Sequence, residues 1–208
     1  MSIRDERKQQ SRQALLDAVL SLSSSGMSFS SMSLREITRH VGLVPTAFYR
    51  HFLDKNQLGL ELIDQIALQH KRVLHELKLA SLLQQPRNIE PRLDQFFTAV
   101  QQHPEWWIFI SAERWGGSAL LRYAIAREIE YLIEDLTDEL SEVEPTYALN
   151  DLQVLSNLLI NSSFNWAMSW INFMVATDNP QQLQQRQHFK AQTIEQIELL
   201  FRGIIHKK

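Results

Sequence analysis

The sequence predicts an all-α protein of about nine helices and almost no strand. Apolar residues recur at three- and four-residue spacing rather than in alternation. Serine, aspartate and proline stand where helix starts need them. Glycines and polar runs separate the periodic stretches.

The elements follow in order. Arg4 to Ser24 places Ala14, Leu15, Ala18, Val19 and Leu22 on one side, and the polar run SSSGMSFSSMS ends it. Ser33 precedes LREITRHV with Glu36 three residues later, the S-x-x-E capping box, so a short helix starts at Leu34. Gly42 supplies the turn after it. Pro45 suits the first position of the next helix, where its missing N–H costs nothing, and that helix is expected to reach about His51. Asp54 can cap a long helix in which Leu58, Leu62 and Ile66 recur, running to about Ala80. QQPRNIEP, Gln84 to Pro91, reads as a connector. Leu93, Phe96, Phe97 and Val100 mark another helix; His103-Pro104 opens one through EWWIFISAERW, which Gly116-Gly117 breaks. Leu120 to Leu140 is a long amphipathic helix and Tyr147 to Thr177 a further one. Pro180 can start a last helix with Phe189, Ile194, Ile197, Leu200 and Phe201 inward.

Composition narrows the function classes. The chain has no cysteine, which excludes a disulfide framework, a thiolate zinc site and a cysteine nucleophile. Its start, MSIRDERKQQSR, lacks the apolar core of a secretory signal, so a cytoplasmic location is expected. Leu152 to Thr177 carries no charge and is long enough to span a bilayer. It nevertheless holds Asn157, Asn161, Asn165 and Asn172 with four serines, which argues for a helix buried against protein. Residues 1–52 hold seven Lys/Arg against four acids, a local charge of +3, whereas the remainder holds 14 against 20, or −6. A positive end on an acidic body suits a polyanion at the N-terminal part; ordinary scatter of surface charge is the competing reading.

Enzymatic patterns fail on inspection. HELKL at His75 starts like a zincin motif but has Leu79 where the second histidine must stand. GGSAL lacks the second glycine of a nucleophile elbow. The histidines are scattered, and no catalytic, metal or cofactor site is expected. A helical thioesterase and a lipid-binding protein that never meets DNA stay as remote alternatives.

Two short helices joined at Gly42 have the layout of a helix-turn-helix, whose second helix enters a major groove. Ile37, Val41, Phe48 and Phe52 can share a core, leaving Thr46, Ala47, Tyr49 and Arg50 on other faces. Ser33, Tyr49, His51 and Lys55 offer donors suited to phosphate, and Pro45 and Thr46 can meet base edges. Three of these have a plainer alternative: a core tyrosine at Tyr49, a local hydrogen bond at His51, a solvated charge at Arg50.

The stretch SLREITRHVGLVPTAFYRHFLDKNQL, Ser33 to Leu58, resembles the DNA-binding signature of the TetR family of transcriptional regulators. The resemblance implies a helix-turn-helix DNA-binding domain over 1–53 and an effector-binding and dimerisation domain over 54–208. It also implies that Arg35 and Val44 join the DNA-contacting set, although Val44 stands where the family usually has Ser or Thr. A palindromic operator on double-stranded DNA, a homodimer and a repressor's role are further implications.

ERWGGSALLRYAIAREI, Glu113 to Ile129, is similar to the FabR/DesT branch, regulators of unsaturated fatty acid synthesis that sense long-chain acyl-CoA or acyl-ACP. That likeness implies a hydrophobic effector, a different small molecule or drug being the alternative. Trp106, Phe109, Ile110 and Phe164 are then pocket candidates, or simply core. Arg114 and Arg122 are candidates for a head group, or ion-pair partners of nearby glutamates. Asn157, Asn161 and Asn165 share one helix face and can fix register in a symmetric dimer, or else line the cavity. Ile197 and Phe201 join the dimer set because the family's last two helices form its interface.

Overall fold

Helix periodicity in the sequence is realised almost throughout. The structure, a computed structural model, describes residues 3–85, 89–175 and 180–205. Among these residues the helices are α1 (Ile3–Ser24), α2 (Leu34–His40), α3 (Pro45–Phe48), α4 (Lys55–Leu77), α5 (Ile89–Gln102), α6 (Pro104–Glu113), α7 (Ala119–Val143), α8 (Leu149–Val175) and α9 (Pro180–Ile205), with no strand. The expected connector at Gln84 to Pro91 and the expected end of a helix at Thr177 fall partly outside the described residues.

Boundaries shift for local reasons. The long helix stops at Leu77 rather than Ala80, because Lys78 takes the left-handed conformation (φ 49°) before a 3-10 turn over Leu79–Leu83. Helix α5 starts before Pro91, which sits in the first turn where no intrahelical N–H is required. Asp54 caps α4 as expected, its Oδ1 accepting from the Gln57 N–H at 2.8 Å. No helix among the described residues is long and apolar enough to cross a membrane.

The chain forms two compact units, one of Met1–Leu68 with Ile108–Glu128 and one of Gln69–Trp107 with Ile129–Lys208. In the first, Leu15, Leu16 and Val19 of α1, Ile37 of α2, Phe48, Phe52 and Leu58 are all buried. Phe29, from the turn between α1 and α2, meets Phe109 edge-to-face at 6.3 Å. Its ring also lies against Gly59 of α4, where an added Cβ would stand 2.6 Å from Phe29 Cζ. In the second unit α5, α8 and α9 pack on one another. Phe97 stacks on Trp170 at 4.1 Å, and Trp166 donates to Gln196 Oε1 at 2.8 Å. His70 is 4% exposed, its ring 4.2 Å from Trp107 and edge-on to Phe164, and its Nε2 has no hydrogen-bond partner.

Two expectations follow. Gly59→Ala gains helix propensity of about 1 kcal/mol but overpacks against Phe29, so a net loss of about 1–2 kcal/mol in urea unfolding is expected. A raised melting temperature would show that the Phe29 ring yields. Burial pushes the His70 imidazole down to about 3, so the folded chain refuses a proton that the unfolded chain accepts near pH 6.5. Stability is complete above that value and declines as pH falls toward 3, by about 2 kcal/mol between pH 7 and pH 5. In His70→Phe this part of the acid loss should vanish; an identical pH profile in the variant would count against the buried neutral ring.

Candidate nucleic-acid interface

Helix α2 begins where its capping box forms. Ser33 N donates to Glu36 Oε2 at 2.8 Å while Glu36 N donates to Ser33 Oγ at 3.2 Å. The Ser33 side-chain and backbone bonds hold the Glu36 carboxyl below its usual range. Gly42 closes the helix at φ 68°, and Leu43 N returns to Thr38 O at 2.8 Å.

The second helix is shorter than its periodicity predicts. Helix α3 is four residues long. Beyond it the chain tightens to three-residue spacing, with Arg50 N donating to Ala47 O and His51 N to Phe48 O. Val44, at its N-cap, supplies no side-chain hydrogen bond. Phe48 and Phe52 turn inward, with ring centroids 5.5 Å apart. Val41, expected beside them, is half-buried.

Inward pinning decides what faces out. Val44, Pro45, Thr46, Tyr49 and Arg50 are exposed, as are Ser33 and Arg35. Tyr49 is 61% exposed and rests edge-on against Phe48, so it is not a core tyrosine. His51 is half-buried with Nε2 2.9 Å from Ser11 Oγ, the local bond of its plainer reading. Burial, reinforced by Arg12, Lys8 and Arg50, lowers its pKa.

Lys55 corrects the sequence reading. Its ammonium donates to the carbonyls of Phe29, Ser30 and Met32 at 2.9, 3.1 and 2.8 Å, so its three protons are spent inside the protein and not on phosphate. Burial lowers its pKa, opposed by the charge of Glu113.

The expected effector residues lie apart from the cavity that the second unit encloses. A largely apolar cavity of about 40 Å³ lies in the second unit, between Leu74, Leu77, Leu93, Phe96, Leu159 and Trp166 with Arg92 at its edge. None of Trp106, Phe109, Ile110, Arg114, Arg122 or Phe164 lines it. Trp106 stacks on His103, Phe109 and Ile110 are buried, and Phe164 packs on His70 and Trp107. Arg114 lies over the Trp115 ring and Arg122 donates to the Gly116 carbonyl. The sequence signal missed was Arg92, a cation one turn from Ile89 and Phe96 beside an apolar stripe. It lines the cavity and donates to Ser81 Oγ.

The dimer set divides. Asn157 and Asn165 are exposed, and Asn161 donates to the Asn157 carbonyl at 2.9 Å. Ile197 and Phe201 are 6% and 1% exposed, so they belong to the chain's own core and not to an outward face.

No protein-family model matches the chain. Among solved structures it is similar to the fatty acid degradation regulator FadR from Bacillus halodurans, at 13% identity over 91% of this chain and 93% of that one, with a TM-score of 0.59. It is likewise similar to a protein described as a TetR-family transcriptional regulator from Rhodococcus sp., at 15% identity over 91% and 97% of the two chains and a TM-score of 0.58. For NemR of E. coli in its reduced form the figures are 20% identity, 93% and 96% coverage and a TM-score of 0.51. At this identity what is shared is the fold: the chain has the all-helical architecture of these regulators.

Proposed function

We propose that this protein is a TetR-type transcriptional repressor that reads a roughly palindromic operator as a homodimer. The observation that carries the reading is the face Val44, Thr46, Tyr49 and Arg50, exposed on a turn whose Phe48 and Phe52 are fixed in the core. It is the layout by which a second short helix presents side chains to a major groove. The fold shared with three solved regulators supports it. Residues 1–53 are the reader and 54–208 the effector-binding and dimerisation part. Exposed Val154, Leu158 and Leu199, beside the Asn157, Asn161 and Asn165 stripe, support α8 and α9 as the dimer face.

The effector proposed is a long-chain acyl-CoA or acyl-ACP, and the regulated genes those of unsaturated fatty acid synthesis. The apolar cavity with Arg92 at its edge suits a chain ending in an anionic or polar head, and one of the similar regulators governs fatty acid degradation. Its volume holds about three waters, so an acyl chain must open it. An effector that prefers the opened form shifts the population, and DNA affinity changes by that difference.

Genomic fragments are selected with the purified protein alone, with oleoyl-CoA and with palmitoyl-CoA. Enrichment of one palindrome near lipid-synthesis genes, shifted differently by the two thioesters, is the expected result. A palindrome indifferent to both retains the regulator and removes the lipid effector. Retention that does not fall with salt removes the groove binder. Tyr49→Phe should leave unfolding unchanged and weaken operator binding about fivefold, the worth of one hydroxyl hydrogen bond. Thr46→Ala should alter which sequence is selected; the same palindrome at the same preference would take Thr46 off the base edge.

A further inference from the structure

Glu113 ends α6 with a side chain fully buried in the first unit. Its Oε1 accepts the Phe29 N–H at 2.8 Å, and its Oε2 has no hydrogen-bond partner. A buried carboxylate with one oxygen unpaired is costly to keep, so its neighbours matter. The Lys55 ammonium, among three carbonyls of the same turn, lies 5.0 Å from the Phe29 ring centroid. Backbone also closes in: a Cβ on Gly117 would meet Ser30 Oγ at 2.7 Å, and one on Gly116 would meet Glu113 Oε2 at 2.8 Å. The turn between α1 and α2 is thus held through its carbonyls by Lys55 and through its amide by Glu113. It leads within four residues to Ser33, the cap of α2.

Resting on the operator-binding reading, we propose that Glu113 is a positioning residue of the DNA reader: through the Phe29 amide it sets the turn from which α2 and α3 are hung, without touching DNA. The acceptor is what does the positioning, so glutamine should serve where alanine fails. No phosphate contact belongs to it, so its loss leaves the salt dependence alone.

The test compares wild type, Glu113→Gln and Glu113→Ala for affinity to the selected operator across a salt series, with hydrogen exchange at the Phe29 amide read in parallel. For the folded alanine variant, affinity about tenfold or more below wild type is expected, with an unchanged salt slope and faster Phe29 exchange. The glutamine variant should recover most of both. Wild-type affinity in a folded alanine variant, a glutamine variant no better than alanine, or a changed slope would each overturn the proposal. Where alanine does not fold, Glu113→Asp, one methylene shorter, replaces it: weak binding with fast Phe29 exchange supports the proposal, and full affinity with fast exchange refutes it. If wild type retains no duplex DNA, the operator reading and the reader role fall together. Phe29 exchange then still reports whether the clamp exists.

Discussion

The Lys55 ammonium lies among the carbonyl oxygens of Phe29, Ser30 and Met32, and the first unit is arranged around that contact. The side chains of Phe29 and Met32 are drawn into the core, which would strip water from the backbone of the turn that carries them. One flexible ammonium answers three carbonyls at once. It does so from the first residue of α4, where the helix dipole disfavours a cation. Three carbonyl oxygens and the charge of Glu113 work against that cost. Phe29 then settles against Gly59 and Phe109, and the turn delivers Ser33 to cap α2.

From there the exposed face follows by exclusion. A four-residue helix has no stability of its own, since its hydrogen bonds scarcely offset nucleation. It is kept by neighbours: Phe48 and Phe52 in the core, the Arg12 guanidinium 4.5 Å over the Phe52 ring, and Ser11 on His51. Arg12 is itself tied to Glu61 of α4. Helix α1 therefore braces the turn that follows the short helix. Val44, Thr46, Tyr49 and Arg50 remain outside because each inward position is already filled.

Local features were legible in the sequence and distant ones were not. The capping box at Ser33 and Glu36, the Asp54 cap and the inward Phe48 and Phe52 depend on spacings of a few residues, and all formed as read. The end of α3 was misjudged because a period of 3.6 does not tell a helix from a tightened turn. Lys55 was misjudged because its partners lie 23 to 26 residues away, where spacing carries no signal. For the effector residues, apolar type marks burial without saying whether a side chain fills the core or bounds a cavity. Trp107 and Leu159 look alike in sequence, yet only Leu159 lines the cavity. Glycine pairs mislead similarly. Gly116-Gly117 does break a helix, but Gly117 is at negative φ and its need for no side chain comes from Ser30.

The same limit explains the split of the dimer set and sharpens it. Along α9, Ile197 and Phe201 are four apart and share an inward face, whereas Leu199 is 57% exposed on the other side. On α8, Leu155 and Leu159 are buried while Val154 and Leu158 are out. The residues that could meet a second copy are thus the apolar positions that the chain's own core does not use. Asn161 donates its amide to the Asn157 carbonyl and Oδ1 within the helix. The asparagine stripe forms a polar seam beside apolar positions left in water, and burying those positions favours association while a seam of matched amides favours one register. For the proposed dimer, that combination of apolar positions left in water on α8 and α9 with amides beside them is what a two-fold interface would bury.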